Sequence, residues 1–132
     1  MEQDAGTAGI QVAPTAGALV AYQNPWDVKA PRSMIRHLRV LYNGGPQPDY
    51  DEDPPEGGYD PMAGWSIAEY EWGDDDNWVL GYRWNGRGGI GTPQTRGIPV
   101  WIVIAEPLRD VIRARIAELV AQGYGKHPVV GG

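Results

Sequence analysis

Between Trp78 and Ala105 the chain reads Trp-Val-Leu-Gly-Tyr-Arg-Trp-Asn, then Gly-Arg-Gly-Gly-Ile-Gly-Thr-Pro-Gln-Thr-Arg-Gly-Ile-Pro, then Val-Trp-Ile-Val-Ile-Ala. Pro93 and Pro99 remove backbone donors and fix φ, and the glycines make turns inexpensive, so no long helix fits between them. The β-branched and aromatic flanks suit strands. The stretch is therefore a strand, a fourteen-residue loop from Gly86 to Pro99, and a second strand. The rest of the chain must complete a sheet around it.

Gly86-Arg-Gly-Gly-Ile-Gly91 matches G-x-G-x-x-G after a strand, but a dinucleotide site needs a helix opening directly behind it. A strand follows instead, and no Lys-Ser/Thr pair completes a phosphate loop of the other kind. What remains is a flexible loop whose amides, with Arg83, Arg87 and Arg96, offer hydrogen bonds to an anion or to a partner. Arg83, Asn85, Arg87, Gln94 and Arg96 are the candidate binding residues, within the signature-like segments Arg-Trp-Asn-Gly and Gln-Thr-Arg-Gly.

Three further elements follow from periodicity. Met34 to Tyr42 alternates as a first strand and ends at Asn43-Gly44-Gly45; Trp65 to Trp72 is the second, joined to the third, Trp78 to Asn85, by the hairpin loop Gly73 to Asn77. Pairing Trp72 with Trp78 puts Tyr70, Trp72, Trp78, Leu80, Tyr82 and Trp84 on one face. It leaves Glu69, Glu71 and Arg83 on the other, separating apolar from polar. Val100 to Ala105 is apolar on both faces, the mark of a central strand. Glu106-Pro107 opens a helix with a stripe at Leu108, Val111, Ile112, Ile116, Leu119 and Val120, closed by Gly123. Arg115 lies inside that stripe, with Glu69 or Glu71 as its partner unless its head snorkels to water. The expected fold is α+β: a small antiparallel sheet of about four strands with one C-terminal helix on its apolar face. Residues 1–33 read as a low-complexity arm, 34–124 as the domain and 125–132 as a tail.

Charge divides the chain. From Asp49 through Asp76 there are eleven acids and no Lys or Arg, so the remainder carries six acids against eleven bases within a total of −6. That balance argues against non-specific nucleic-acid binding, which needs a basic surface. Pro46 to Pro61 is a long acidic loop, and loops of that length are usually functional or disordered. Asp49, Asp51, Asp53 and Asp60 fall at positions of a calcium loop, but Pro54 replaces the glycine of its sharp turn and no helices flank it. The hairpin geometry makes this loop a neighbour of the glycine loop, while Asp74-Asp75-Asp76 sits at the far tip; opposite charges at two ends permit head-to-tail assembly. With no cysteine and only two histidines, neither disulfides nor a histidine or thiolate metal site is expected, and no cofactor is implied. Six Trp and seven Tyr with no Phe favour half-buried sheet surfaces and interfaces. No apolar run approaches the roughly 20 residues of a membrane span.

His37 stands alone, and Glu69 and Glu71 have arginines to satisfy them, so no constellation compels an enzyme. The expectation is a small, non-enzymatic, cytoplasmic protein-interaction module, of the kind found among accessory proteins of phage or mobile elements. It would bind a protein partner, or itself, through the 86–99 loop, the acidic loop and the arm. A first alternative is a single-stranded nucleic-acid binder stacking bases on an exposed aromatic face. A second rests on the tail: Pro128-Val-Val-Gly-Gly132 resembles the ends of ubiquitin-like sulfur carriers, which implies a terminal glycine loaded by an activating partner. Only those five residues carry the resemblance, and little chain follows the helix to build that family's last strands.

Overall fold

A computed structural model describes residues 21–74 and 77–127. Among these residues a single 3-10 turn (Pro25–Asp27) precedes six strands and one α-helix: β1 (Ile35–Asn43), β2 (Trp65–Trp72), β3 (Trp78–Trp84), β4 (Gln94–Thr95), β5 (Ile98–Pro99), β6 (Ile102–Val103) and α1 (Glu106–Ala121). β1, β2, β3 and β6 form a four-stranded antiparallel sheet in the order β1-β2-β3-β6, and β4 with β5 forms a separate hairpin. The fold is α+β.

The β2–β3 register differs from the expected one by a single residue. Trp78 pairs with Glu71, not Trp72, and Trp65 pairs with Trp84. Trp72 instead donates its N–H to the Asn77 carbonyl at 2.9 Å, which tightens the turn. One residue of slip exchanges faces, so the expected aromatic face does not exist. Tyr70 and Trp72 belong to one side of the sheet; Trp78, Leu80, Tyr82 and Trp84 belong to the other.

Separation of apolar from polar fails as a guide because both faces are covered. On one side Tyr42, Ile67 and Leu80 meet Ile116 and Leu119 of α1. On the other, Val28, Ile35, Ala68, Tyr70, Val79 and Trp101 form a second cluster. Residues 21–33, within the expected arm, provide this second cover. Val28 is fully buried, and Trp101 Nε1 donates to the Val28 carbonyl at 2.7 Å. Residues 1–20, and the tail from 128 onward, lie outside the described residues.

Glu69 and Glu71 sit on the helix side, where the sequence did not place them, and arginines hold them there. Glu69 pairs with Arg39 and Arg113, Glu71 with Arg36 and His37. The helical partner is thus Arg113; Arg115 points outward and pairs with Glu118 on its own helix at 2.9 Å. His37 adopts φ 55° at a bulge in β1, between the pairs Arg36–Glu71 and Arg39–Glu69.

Candidate functional site

The candidate binding residues occupy separate surroundings. Arg83 lies on β3, on the side away from the helix, and is fully buried. Its guanidinium donates to the carbonyls of Val100 at 2.6 Å, of Ile90, and of Pro93 at 3.5 Å, while Nε has no hydrogen-bond partner. Burial lowers its pKa to about 10. The cation is therefore spent on the carbonyls of its own loop and fastens that loop to the sheet.

Asn85 is also fully buried. Its amide donates to the Gly45 carbonyl at 2.7 Å and accepts from Ser66 Oγ at 2.8 Å. Asn43 joins the same network, donating to Tyr22 Oη and to the His127 carbonyl at 3.1 and 3.2 Å. Three strands and both ends of the described chain are tied together there, which fits a satisfied buried network. Tyr22 and His127 were not singled out by sequence reasoning, since no local pattern announces them.

Arg87, Gln94 and Arg96 are exposed. Arg87 donates to the Gln47 carbonyl at 3.3 Å and lines a cleft of about 350 Å³ with Asp49, Glu52, Asp53 and Asp60. The acidic and glycine loops are thus neighbours. Asp49 and Asp60 accept the N–H of Asp51 and Met62, at 3.1 and 2.9 Å, as local turns do. Asp51 and Asp53 are exposed. Among the described residues no group of three or more His, Asp or Glu side chains is arranged to hold a metal ion. Gln94 reaches back to the Gly91 carbonyl at 3.3 Å. Arg96 stands with Gly97 at the tip of the β4–β5 hairpin, both at positive φ, the geometry of a two-residue turn. Arg83, Arg87 and Arg96 do not converge on one pocket.

A different surface stands out where the sheet ends. The strand expected to be central is the terminal one. Its chain is apolar on both faces, yet β6 pairs only with β3, and among the described residues no strand lies beyond it. Ile104 donates to the Leu80 carbonyl at 2.8 Å, so by the antiparallel alternation Val103 directs its own N–H and C=O outward. Ile102 and Val103 each keep 48 % of their surface exposed. The helix continues the patch. Of the expected stripe, Ile116 and Leu119 are buried and Ile112 and Val120 half-buried, but Leu108 keeps 55 % and Val111 70 %.

Between β6 and α1 runs an open groove of about 470 Å³, its walls including Trp65, Tyr82, Ile102, Leu108 and Ile112, with Arg115 at its rim. Burial raises the Tyr82 phenol to about 12, so it is neutral in the groove wall. The opposite edge of the sheet looks different. β1 carries two bulges and the charges of Arg36 and Arg39, and Asn43 at its end bridges to Lys126. Bulges and charge are the usual protections of an edge strand, and β6 has neither.

No family model, curated protein or solved structure matches the chain. No helix among the described residues is long and apolar enough to cross a membrane.

Proposed function

We propose that this chain is a small, non-enzymatic protein-interaction module whose principal contact surface is the β6 edge with the adjoining α1 groove. The observation that carries the reading is a strand with the composition of a sheet centre lying at a sheet edge, beside the exposed Ile102, Val103, Leu108 and Val111. An incoming strand would supply the missing backbone hydrogen bonds, and its alternate side chains would enter the groove, the strand-addition mode of recognition. Contiguous exposed apolar surface of this kind marks an interaction site in a folded protein. The glycine loop and its hairpin tip at Arg96, with the acid-lined cleft at Arg87, extend the surface open to a partner. A chain without cysteine suits a reducing cytoplasm.

Affinity capture from the native host tests the proposal, comparing wild type with Ile102→Lys, Leu108→Lys and Arg87→Ala/Arg96→Ala. Loss of the captured protein in the first two variants is expected. Full retention in both would remove the β6 surface from consideration. Retention in the arginine double variant would remove the glycine loop. The nucleic-acid alternative drew on Tyr82 and Trp84 with nearby Arg83; the two aromatics share a face and are half-buried, while Arg83 is buried on the other side. The carrier alternative rests on residues 128–132, outside the described part of the chain.

A further inference from the structure

We propose that the chain assembles head to tail, the acidic loop of one copy seating in a pocket between residues 30–31 and the β4–β5 hairpin of the next. This contact is separate from the β6 surface and goes beyond the reading above.

On the sheet face away from the helix, Ala30, Pro31, Thr95, Arg96, Ile98 and Val100 enclose about 300 Å³. The walls are almost wholly apolar, so Arg96 lines them with its aliphatic stem and carries its guanidinium to the rim. Ile98 keeps 53 % of its surface exposed. Lys29 and Arg32, both exposed, adjoin the lining residues Ala30 and Pro31. None of Lys29, Arg32 and Arg96 forms an ion pair with a described residue. The stretches that build the pocket, residues 28–48 and 77–105, contain no Asp or Glu. An apolar hollow bordered by cations that its own copy leaves unpaired suits an acidic segment with an aromatic anchor.

The chain itself carries such a segment. Residues 49–76 hold eleven acids and no Lys or Arg. Within them Tyr50 keeps 57 % of its surface exposed, its ring edge-on to Tyr59 at 5.0 Å. Asp51, Glu52 and Asp53 follow it, all exposed and none in an ion pair with a described residue. An aromatic ring between Asp49 and Asp51 is the complement of the pocket: the ring enters the hollow, and the carboxylates meet Lys29, Arg32 and Arg96.

Within one copy the two surfaces do not meet. Gln47 donates its N–H to the Gly86 carbonyl at 3.0 Å and accepts from Arg87 at 3.3 Å, which holds the acidic loop beside the glycine loop. The two contact surfaces differ, so the contact is heterologous and leaves a free pocket and a free loop at the ends of every oligomer.

Sedimentation velocity across a concentration series, with circular dichroism to verify folding, tests this on the full chain. Wild type should pass beyond dimer as concentration rises. Lys29→Glu/Arg96→Asn, where Asn suits the positive φ at 96, and Tyr50→Ala/Asp51→Lys should each weaken association by at least about tenfold. Mixed together, the two variants should form a one-to-one dimer and nothing larger, because one retains the loop and the other the pocket. Loss of structure in either variant would not produce that dimer. Ile102→Lys, at β6, should assemble as wild type does.

A wild type that stays monomeric to its solubility limit overturns the proposal, as does an assembly that either double variant keeps, or a mixture that stays monomeric. An assembly lost in Ile102→Lys but kept in both double variants belongs to β6, which sustains the interaction reading and removes this contact. A head-to-tail assembly beside unchanged partner capture by Ile102→Lys leaves this contact standing and removes the β6 reading.

Discussion

At the scale of single residues, the glycine loop is held by what its own chain supplies. Arg83 satisfies its carbonyls, and the first and last glycines of Gly86-Arg-Gly-Gly-Ile-Gly91 pack on each other. A Cβ at Gly91 would lie 2.1 Å from the Trp84 carbonyl oxygen, at a φ of 71°. The motif that resembles a phosphate loop is thus a device for backbone packing. Gly91→Ala should cost about 2–4 kcal/mol, because neither the conformation nor the space admits a side chain. Gly88 and Gly89 have open space around them, so Gly89→Ala should change stability by less than about 1 kcal/mol. Urea unfolding of the two variants checks the contrast. Arg83→Met should cost about 3 kcal/mol, since the carbonyls of Ile90 and Val100 lose their donor.

Titration adds a test at the same scale. Burial raises the phenols of Tyr70 and Tyr82 to about 12 from 10.0, so between those pH values the folded state keeps protons that the unfolded chain releases. Their contribution to stability is complete below pH 10 and is lost as pH rises toward 12. Arg83 acts in the opposite sense, its pKa lowered to about 10 from 12.5, so its contribution rises with pH over the same interval. Tyr22 and Tyr42 are also raised by burial, and the tyrosines together outweigh the arginine. Tm should therefore fall steeply above pH 10. Tyr70→Phe should flatten the fall and Arg83→Met should steepen it. A Tm independent of pH through this range would contradict the assignment.

At the scale of elements, β1, β2, β3 and the helix were legible in the sequence, because their periodicities are long and bounded by Gly and Pro, whereas the two-residue strands β4 and β5 lie inside the stretch 86–99 expected as loop. The β2–β3 register was not. Choosing it by separating apolar from polar presumes one wet face, and this sheet has none. Glu69 and Glu71, the residues that seemed to mark the wet face, lie on the helix side with Arg36, Arg39 and Arg113 around them. The helical stripe misled in a similar way. It continues through Leu108 and Val111, but the sheet ends before it can cover them. Stability and association should consequently separate along α1. Ile116→Ala and Leu119→Ala should each cost about 2–4 kcal/mol. Leu108→Ala and Val111→Ala should cost less than about 1 kcal/mol while weakening capture of a partner. Paired unfolding and affinity-capture measurements on the four variants decide it. A large stability loss at Val111 would mean that its face is covered by the chain itself.

At the scale of the whole molecule, composition hid the boundary of the fold. Residues 21–33 are rich in the residue types of a flexible arm, yet they complete the second core. Pro25 is buried, Val28 contributes its whole side chain, and Tyr22 and the Gln23 N–H fasten the segment to Asn43 and to the Asn85 carbonyl. Nothing local marks this, since short segments docked on a sheet have no periodicity to read. The edge position of β6 escaped for the complementary reason, because its composition describes a strand with neighbours on both sides. A chain starting at Met34 keeps every strand and the helix but uncovers Ala68, Tyr70, Val79 and Trp101. Losing the burial of Val28 and Tyr22 and the hydrogen bond to Trp101 should cost about 5 kcal/mol. That is the lower end of the total stability of a small domain, about 5–15 kcal/mol. The shortened chain should therefore lose a large part of its stability, melting well below the full-length protein and exchanging its amides faster. A cooperative melt near the full-length Tm would show instead that the helix side alone sustains the sheet.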